Sequence, residues 1–472
     1  MTTQSEATVP IDVLPAVRVR SPRAILAVLS LAAFMASLDV FIVNVAFDKI
    51  GESFHGSSIS DVSWVLNAYA IFYAALLVPL GRLADKVGRK QMFLLGMGLF
   101  TAASVACAAA PGLWWLVAFR VLQAAGAAAL TPTSLGLLLA AVPAEKRLAY
   151  VRIWSAVAGI AAAAGPVLGG LLVTASWRWV FLVNLPVGIV AIIAARRIVP
   201  DSRDSAVTKV PDAVGAGLLT LGVGALALAI VKGGGWGWGS ADTVVAFVAA
   251  VALLAGFVWR AEHHPVPVVE PDLYRVRTFA AANLAMITFS IGFAAYLLMM
   301  VLWMQNVWHW STITTGLAVA PGPAMVPGVA LIAQRLSRRL PAGVLAALGC
   351  LAFAGGVALT LSVIGPHSSS YASESLPGQL LVGIGVGLAL PTLLSSATVD
   401  LPPHRTSTGS GVINMTRQLG FVLGVSVAVA ILGTPSTYLS AHTAFVHGWW
   451  AIVGVELVAA VASLGLLTRR AR

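Results

Sequence analysis

The sequence predicts an all-α integral membrane protein, and three observations support that prediction. Hydrophobic residues make up 59% of the 472 residues and charged residues only 10%, whereas about 25% of a soluble domain is charged. The apolar residues gather in fourteen runs, each close to the ~20 residues that a membrane-spanning helix needs. The basic residues gather in the short segments between the runs, as they do in cytoplasmic loops.

The fourteen predicted spans cover most of the chain. They lie near residues 24–47, 62–81, 92–110, 113–138, 148–173, 178–199, 212–231, 241–260, 278–304, 313–334, 341–364, 376–399, 405–433 and 443–468. We expect a cytoplasmic tail at 1–23, a six-helix bundle at 24–199, a linker with two extra spans at 200–277, a second six-helix bundle at 278–468 and a short tail at 469–472. The first apolar run is too long for a signal-peptide core and is expected to remain in the protein.

The distribution of charge predicts the orientation in the membrane. With both termini in the cytoplasm, only Lys49, Arg178 and Lys232 of the 29 lysines and arginines lie at the outer side, and only Arg120 and Arg417 lie well within spans, away from their ends. Most tryptophans then fall near the outer boundary, where an aromatic belt is expected. The net charge of +11 therefore follows from cytoplasmic loops and does not indicate nucleic-acid binding. The prediction is a multi-pass protein of the cytoplasmic membrane.

A weak internal repeat indicates two homologous halves. Gly81-Arg82-Leu83 and Gln334-Arg335-Leu336 each follow one span and precede the next. The same offset of 253 residues aligns Gly96 with Gly349. Such repeats are common in secondary transporters.

The segment Gly81–Lys90 is the most distinctive polar stretch. We expect a short hinge between two spans, with Asp85 capping the start of a helix. An ordinary basic turn would explain its charge but not the order G-x-L-A-D-x-x-G-R-K. That order resembles the loop between helices 2 and 3 of the major facilitator superfamily. The resemblance implies two six-helix bundles that act as a secondary transporter, with Gly81, Asp85, Gly88 and Arg89 in a conformational motif.

Asp39 lies midway through the first span. A carboxylate at this depth costs about 2.5–3.5 kcal/mol on insertion scales and usually lines a polar pathway or proton relay. We expect Asp39 to carry the coupling proton; the alternative is a structural carboxylate paired permanently with a buried cation. The string L-D-x-x-I-V-N-V-A resembles the first-helix motif of the fourteen-span drug:proton antiporters of the EmrB/QacA type, although Phe41 replaces their usual threonine.

Arg120 is the matching cation, in a string that resembles the fourth-helix motif of the superfamily. Arginine keeps its charge, so it must face water or an acceptor. We expect it to influence the protonation of Asp39, with a purely structural role as the alternative. Gln123 lies three residues further along and shares its helix face.

Gly165-Pro166-Val167-Leu168-Gly169-Gly170 interrupts the fifth span. Glycines at a spacing of four allow another helix to approach closely, and Pro166 removes a backbone donor. Packing alone would explain a single pair of glycines. The full string resembles the motif of antiporter branches of the superfamily, and this resemblance favours export over uptake. The stretch Trp177–Gly188 resembles the same fourteen-span family and is interpreted as an interfacial anchor.

Glu456 is the second acid inside a span and belongs to no motif that we recognise. Three interpretations remain open: it attracts a cationic substrate, it carries a second proton, or it pairs with Arg417. A central cavity is expected to be mostly apolar with few polar groups. The candidate lining residues are Asn44, Asn67, Tyr69, Gln123, Asn283, Phe289, Tyr296, Gln305 and Asn414.

Together these features predict a proton-coupled antiporter that exports lipophilic, often cationic, compounds by alternating access. The alternatives are an exporter of one secondary metabolite and a proton-coupled uptake carrier. A membrane enzyme is disfavoured because the chain has no H-E-x-x-H or G-x-S-x-G string and no buried His/Cys group. No cofactor or metal is expected, and the partners are the substrate, protons and the lipid bilayer, with the chain as a monomer.

Overall fold

A computed structural model describes residues 22–202, 212–364, 370–402, 405–433 and 438–467. Most of the predicted tails and part of the linker before the seventh span lie outside these ranges. Within them the chain is helical, with no β-strand. Each predicted span corresponds to one long helix. The helices are α1 (Pro22–Ser53), α2 (Ile59–Val87), α3 (Arg89–Ala108), α4 (Leu113–Ala141), α5 (Ala144–Ala175), α6 (Trp179–Ile198), α7 (Ala213–Trp236), α8 (Ala241–His263), α9 (Arg277–Asn306), α10 (Thr312–Leu336), α11 (Ala342–Val363), α12 (Tyr371–Ser396), α13 (Thr406–Leu432) and α14 (Tyr438–Leu464).

Four of these helices are interrupted in their N-terminal part by a single residue in a turn conformation. The turn residues are Ser63 in α2, Val183 in α6, Ala320 in α10 and Ser375 in α12. In α10 and α12 a proline follows closely, and proline cannot donate the backbone hydrogen bond that would continue the preceding turn. A short 3₁₀ helix, Pro271–Arg275, precedes α9.

The helices form two six-helix halves with the same packing order. In the first half α1 packs on α5 and α3 packs on α4; in the second half α9 packs on α13 and α11 packs on α12. Gly96 lies against Gly126 O of α4, and Gly349 lies against Gly385 O of α12. The glycines aligned by the offset of 253 therefore occupy matching contacts in the two halves.

The two extra helices lie outside the halves. α7 packs against α2 and α13, and α8 packs against α7. Lys232 Nζ of α7 lies 2.6 Å from Asp61 Oδ1 of α2. Asp212 caps α7, accepting from Gly215 N, and pairs with Arg260 of α8. Burial alone would raise the pKa of Asp212, but these hydrogen bonds hold it below its ordinary value.

The expectation that Gly81–Lys90 forms a polar loop is wrong. α2 continues through Val87 and α3 begins at Arg89. Gly88 alone makes the turn, with φ of 125°, a region that favours glycine. Asp85 does not cap a helix; it accepts a hydrogen bond of 2.7 Å from Arg89 Nε. The i,i+4 pair spans the turn, so the helical conformation satisfies the charges that suggested a loop.

Candidate functional site

A cavity of about 1680 Å³ lies between the two halves. Its walls come from α1, α2, α4 and α5 of the first half and from α9 to α13 of the second. Arg82, Asp85, Arg89 and Glu270 line it near the α2–α3 turn. We call the end of the bundle that carries this turn the inner end and the opposite end the outer end. The cavity reaches the inner end.

Contacts between the halves close the outer end. Asn67 Nδ2 of α2 donates to Ser426 Oγ of α13 at 3.2 Å. Gln305 Nε2 of α9 donates to Val45 O of α1 at 3.3 Å. Gly170 of α5 lies against the backbone of α10. In the described part of the chain the cavity is therefore open at the inner end and closed by these contacts at the outer end.

The antiporter-like glycines have two different neighbours. A Cβ at Gly165 would lie 2.6 Å from Phe41 Cβ, and one at Gly169 would lie 2.9 Å from Ile42 O, both on α1 in the same half. A Cβ at Gly170 would instead lie 2.6 Å from Thr312 O in the other half. Pro166 O lies close to Gly316 of α10. Only the second pair of contacts, at Pro166 and Gly170, crosses between the halves.

Asp39 and Arg120 form a buried ion pair through Asp39 Oδ2 and Arg120 Nη1. Both side chains are at most 1% exposed. Gln123 bridges the pair, because its Oε1 accepts from Arg120 Nη1 at 2.7 Å and its Nε2 donates to Asp39 Oδ1 at 2.8 Å. Arg120 Nε also donates to Val65 O at 3.1 Å. Both carboxylate oxygens of Asp39 and two of the three guanidinium nitrogens of Arg120 thus have partners, and a buried pair needs such partners.

Aromatic and polar groups complete this cluster. The Arg120 guanidinium lies 4.0 Å from the centre of the Tyr69 ring, an arrangement in which the ring face attracts the cation. Ser104 Oγ accepts from Gln123 Nε2 at 2.8 Å. Neither Asp39 nor Arg120 lines the cavity. The pair lies inside the first half, but the cavity-lining residues Ser37, Val40 and Phe41 flank Asp39 along α1.

Two ion pairs stand where the cavity reaches the inner end. Arg89 pairs with Asp85 at 2.7 Å. Arg82 pairs with Glu270 of the linker at 2.8 Å, and Arg82 Nη1 donates to Pro267 O. A Cβ at Gly81 would lie 3.2 Å from Pro132 Cβ, so α2 and α4 approach closely here. The motif residues thus connect the first half to the linker.

Glu456 and Arg417 are not paired with each other. Glu456 is fully buried in α14, and neither of its carboxyl oxygens has a hydrogen-bond partner. It lies close to Gly292 of α9 and does not line the cavity. Arg417 of α13 faces the cavity, and its Nε has no hydrogen-bond partner. The two side chains project from different helices toward different surroundings.

Three of the nine candidate lining residues face the cavity: Phe289, Tyr296 and Asn414. The other six interact with protein groups within or between helices. Asn44 donates to Val40 O, Asn67 to Ser426, Gln305 to Val45 O and Asn283 to Phe279 O, while Tyr69 and Gln123 belong to the Asp39 cluster. Polarity marked these residues but did not indicate which face of a helix they occupy.

The sequence analysis assigned no role to several residues that line the cavity. Phe41, Phe293 and Phe421 bring rings from α1, α9 and α13 together, with centroid distances of 6.4 Å and 5.7 Å from Phe293. The sequence analysis considered Arg417 only as a possible partner for Glu456. Its position inside a span was the signal that could have identified it, by the rule applied to Asp39. No cluster of three or more potential metal ligands exists in the described ranges.

The profile of the Major Facilitator Superfamily matches residues 29–425. The chain is 33% identical over 408 residues to the multidrug resistance protein Stp of Mycobacterium tuberculosis, covering 85% of this chain and 74% of Stp. It is 32% identical to the methylenomycin A resistance protein of Bacillus subtilis, over 89% of this chain and 90% of that one. It is 31% identical to the puromycin resistance protein pur8 of Streptomyces alboniger, over 94% and 91%.

Solved structures share the fold at low identity. A D-xylose–proton symporter has a TM-score of 0.69 at 13% identity and covers 94% of this chain and 98% of its own. An auto-inhibited peptide transporter of the POT family has a TM-score of 0.68 at 16% identity, with 96% and 98% covered.

Proposed function

The chain belongs to the major facilitator superfamily, and from that membership we propose that it is a proton-coupled antiporter that exports lipophilic small molecules by alternating access. It is a multi-pass membrane transporter and not an enzyme. We propose further that it works as a monomer in the cytoplasmic membrane, with both termini and the inner end in the cytoplasm.

The single observation that carries the proposal is a large cavity between the two halves that, among the described residues, reaches the inner end and is closed toward the outer end. Alternating access needs one site that is exposed to each side in turn. The contacts at Asn67, Gly170 and Gln305 that close the outer end join helices of one half to helices of the other. A rocking motion of one half against the other would separate them.

Export is favoured by the relatives. Their printed names concern resistance to multiple drugs, methylenomycin A and puromycin. A cell becomes resistant when a drug is moved out of it, so the proposed direction is outward. The apolar lining, with the rings of Phe41, Phe293 and Phe421 near one another, suits lipophilic compounds.

Proton coupling is proposed to depend on the Asp39–Arg120 pair. An acid beside a permanent cation has two workable states: charged and paired, or protonated and released. The closed pair supports the first state for the conformation open at the inner end. In the state open to the outer side, α1 would carry Asp39 toward water, where it takes up a proton. Return to the inner state would restore the pair and release the proton.

Glu456 is a candidate for a second proton. Its buried oxygens lack partners, and an unpaired charge in such a place is strongly disfavoured. We infer that it carries a proton in this state. It contacts α9, which also supplies Phe293 to the cavity.

A narrow-substrate exporter is the second candidate, favoured by relatives whose names specify single compounds, such as a probable actinorhodin transporter of Streptomyces coelicolor. The test is transport by the purified full-length protein in proteoliposomes with an imposed pH gradient and a panel of dyes and antibiotics. The proposal expects pH-driven movement of several unrelated lipophilic compounds. Movement of one compound alone would select the second candidate, and no movement of any would contradict export of a broad range of lipophilic compounds.

A further inference from the structure

The charge of the cavity wall opposes the expectation of cationic substrates. Five charged side chains line the cavity in the described part of the chain: Arg82, Asp85, Arg89, Glu270 and Arg417. The first four stand at the inner end and form two ion pairs, Arg82–Glu270 at 2.8 Å and Arg89–Asp85 at 2.7 Å. Their charges cancel. Arg417 therefore supplies the net charge of the wall.

Arg417 is free to bind a ligand. It lies near the middle of α13, no carboxylate of the described residues lies within ion-pair distance of it, and its Nε has no hydrogen-bond partner. Glu456, whose carboxyl oxygens also lack hydrogen-bond partners, is buried away from the cavity. A guanidinium in an apolar surrounding needs an acceptor, and its planar fork matches carboxylates and sulfonates.

Aromatic rings stand next to this cation. Phe421 follows Arg417 by one turn of α13 and packs against Phe293, which also lies near Phe41 of the first half. Tyr296 also lines the cavity, and its hydroxyl has no hydrogen-bond partner. An unpaired donor fork beside a group of rings fits a flat organic molecule that carries one acidic group.

We infer that the cavity selects lipophilic organic anions, with Arg417 binding the carboxylate or sulfonate and the rings of Phe41, Phe293 and Phe421 binding the apolar body. This inference rests on the proposed function, since it names the substrate class of the same cavity. A cation would meet the repulsion of Arg417, and both carboxylates of the described cavity wall, Asp85 and Glu270, are already paired with arginines.

The test compares two dyes that share one skeleton: 8-anilinonaphthalene-1-sulfonate and N-phenyl-1-naphthylamine, which lacks the sulfonate. Binding is measured by calorimetry on the full-length protein in lipid nanodiscs, with empty nanodiscs subtracted. The wild type should bind the sulfonate more tightly. Arg417→Gln should weaken sulfonate binding by at least about tenfold, as expected for loss of a buried charge partner, and should leave the neutral dye unchanged. Arg417→Lys should retain most of the sulfonate affinity.

Two results would overturn the inference. One is wild-type protein that binds the neutral dye as tightly as the sulfonate; the other is an Arg417→Gln substitution that lowers the affinity for both dyes by the same factor. If Arg417→Gln does not fold, the inference is still tested by the affinities of the wild type for the two dyes and by the sulfonate affinity of Arg417→Lys. The proposed export function fails separately, when no compound moves under a pH gradient. Dye binding measured at equilibrium does not depend on that outcome.

Discussion

Asp39 and Arg120 form the most deeply buried ion pair in the described part of the chain. Removing one partner from such a pair usually destabilises a protein by about 3–5 kcal/mol, because the remaining charge stays buried without compensation. Gln123 and Val65 O hold Arg120 in place and cannot replace a negative charge. The pair is therefore important for folding as well as for the proposed coupling.

Two substitutions at buried acids should differ in stability. Asp39→Leu should lower the thermal unfolding midpoint clearly, since Arg120 loses its counter-charge. Glu456→Gln should leave it near the wild-type value, because a neutral amide of the same shape replaces a carboxyl group without partners. Thermal unfolding of the purified proteins in detergent measures both. An equal loss for the two variants would contradict the inference that Glu456 is neutral.

For single residues, the sequence predicted which charged side chains lie deep in the membrane but not which way each side chain points. The cost of charge in a membrane identified Asp39, Arg120 and Glu456, and the first two do pair. The helix face of each side chain depends on how α4, α13 and α14 are rotated. Packing between helices determines that rotation, so the lack of a pair between Glu456 and Arg417 could not be predicted.

The glycines of α5 pack against helices of both halves. Gly165 and Gly169 allow α1 to approach within the first half, whereas Gly170 meets α10 of the second half. The spacing of Gly165 and Gly169 predicted a close helix approach but not which helix approaches. The contact between the halves lies one residue beyond Gly169.

Alanine at Gly170 should therefore affect the conformational equilibrium, because a Cβ there would lie 2.6 Å from Thr312 O and force the outer end apart. A cysteine introduced at Gln305, which bridges to Val45 O at the outer end, should react faster with an impermeant thiol reagent in Gly170→Ala. Gly165→Ala is the matched control, since its contact lies within one half. Equal reactivity in the two backgrounds would exclude Gly170 from the outer closure.

The helix bounds illustrate what hydropathy can predict. All fourteen spans were located from apolar runs alone. The extension of α2 to Val87 was missed because polar residues end an apolar run without ending a helix. The Asp85–Arg89 pair and the ion pair of Arg82 with Glu270 stabilise these last turns, and the second of these joins segments far apart in sequence.

The whole molecule should have its inner end in the cytoplasm. His55, between α1 and α2, and Lys86, near the end of α2, are both exposed and are suitable positions for single cysteines. In intact cells an impermeant thiol reagent should label the first and not the second. The native Cys107 and Cys350 are buried and serve as the background. Labelling at Lys86 alone would reverse the topology.

The charge carried per cycle follows from the substrate class. Exchange of one monovalent anion for one incoming proton moves net charge, so an inside-negative potential should add about 2.3 kcal/mol per charge per 100 mV. Valinomycin-imposed potentials in proteoliposomes should therefore accelerate export of 8-anilinonaphthalene-1-sulfonate. Insensitivity of that export to the potential would contradict anion–proton exchange.

The general position of a cavity between two halves followed from the internal repeat, but its lining did not. Six of the nine predicted lining residues interact with protein groups outside the cavity wall. Arg417 and Phe293 line the cavity because of how the two halves meet. Contacts between segments hundreds of residues apart, such as Asn67 with Ser426, determine that arrangement, and no local pattern encodes it.

The central claim is that Asp39 couples the proton to export, and Asp39→Asn tests it most directly. The amide keeps the shape and can still accept from Arg120, but it cannot take up a proton. Proteoliposomes containing the variant should exchange labelled for unlabelled substrate across the membrane as the wild type does. The same proteoliposomes should fail to accumulate substrate when a pH gradient is imposed. Full pH-driven accumulation by Asp39→Asn would contradict the account.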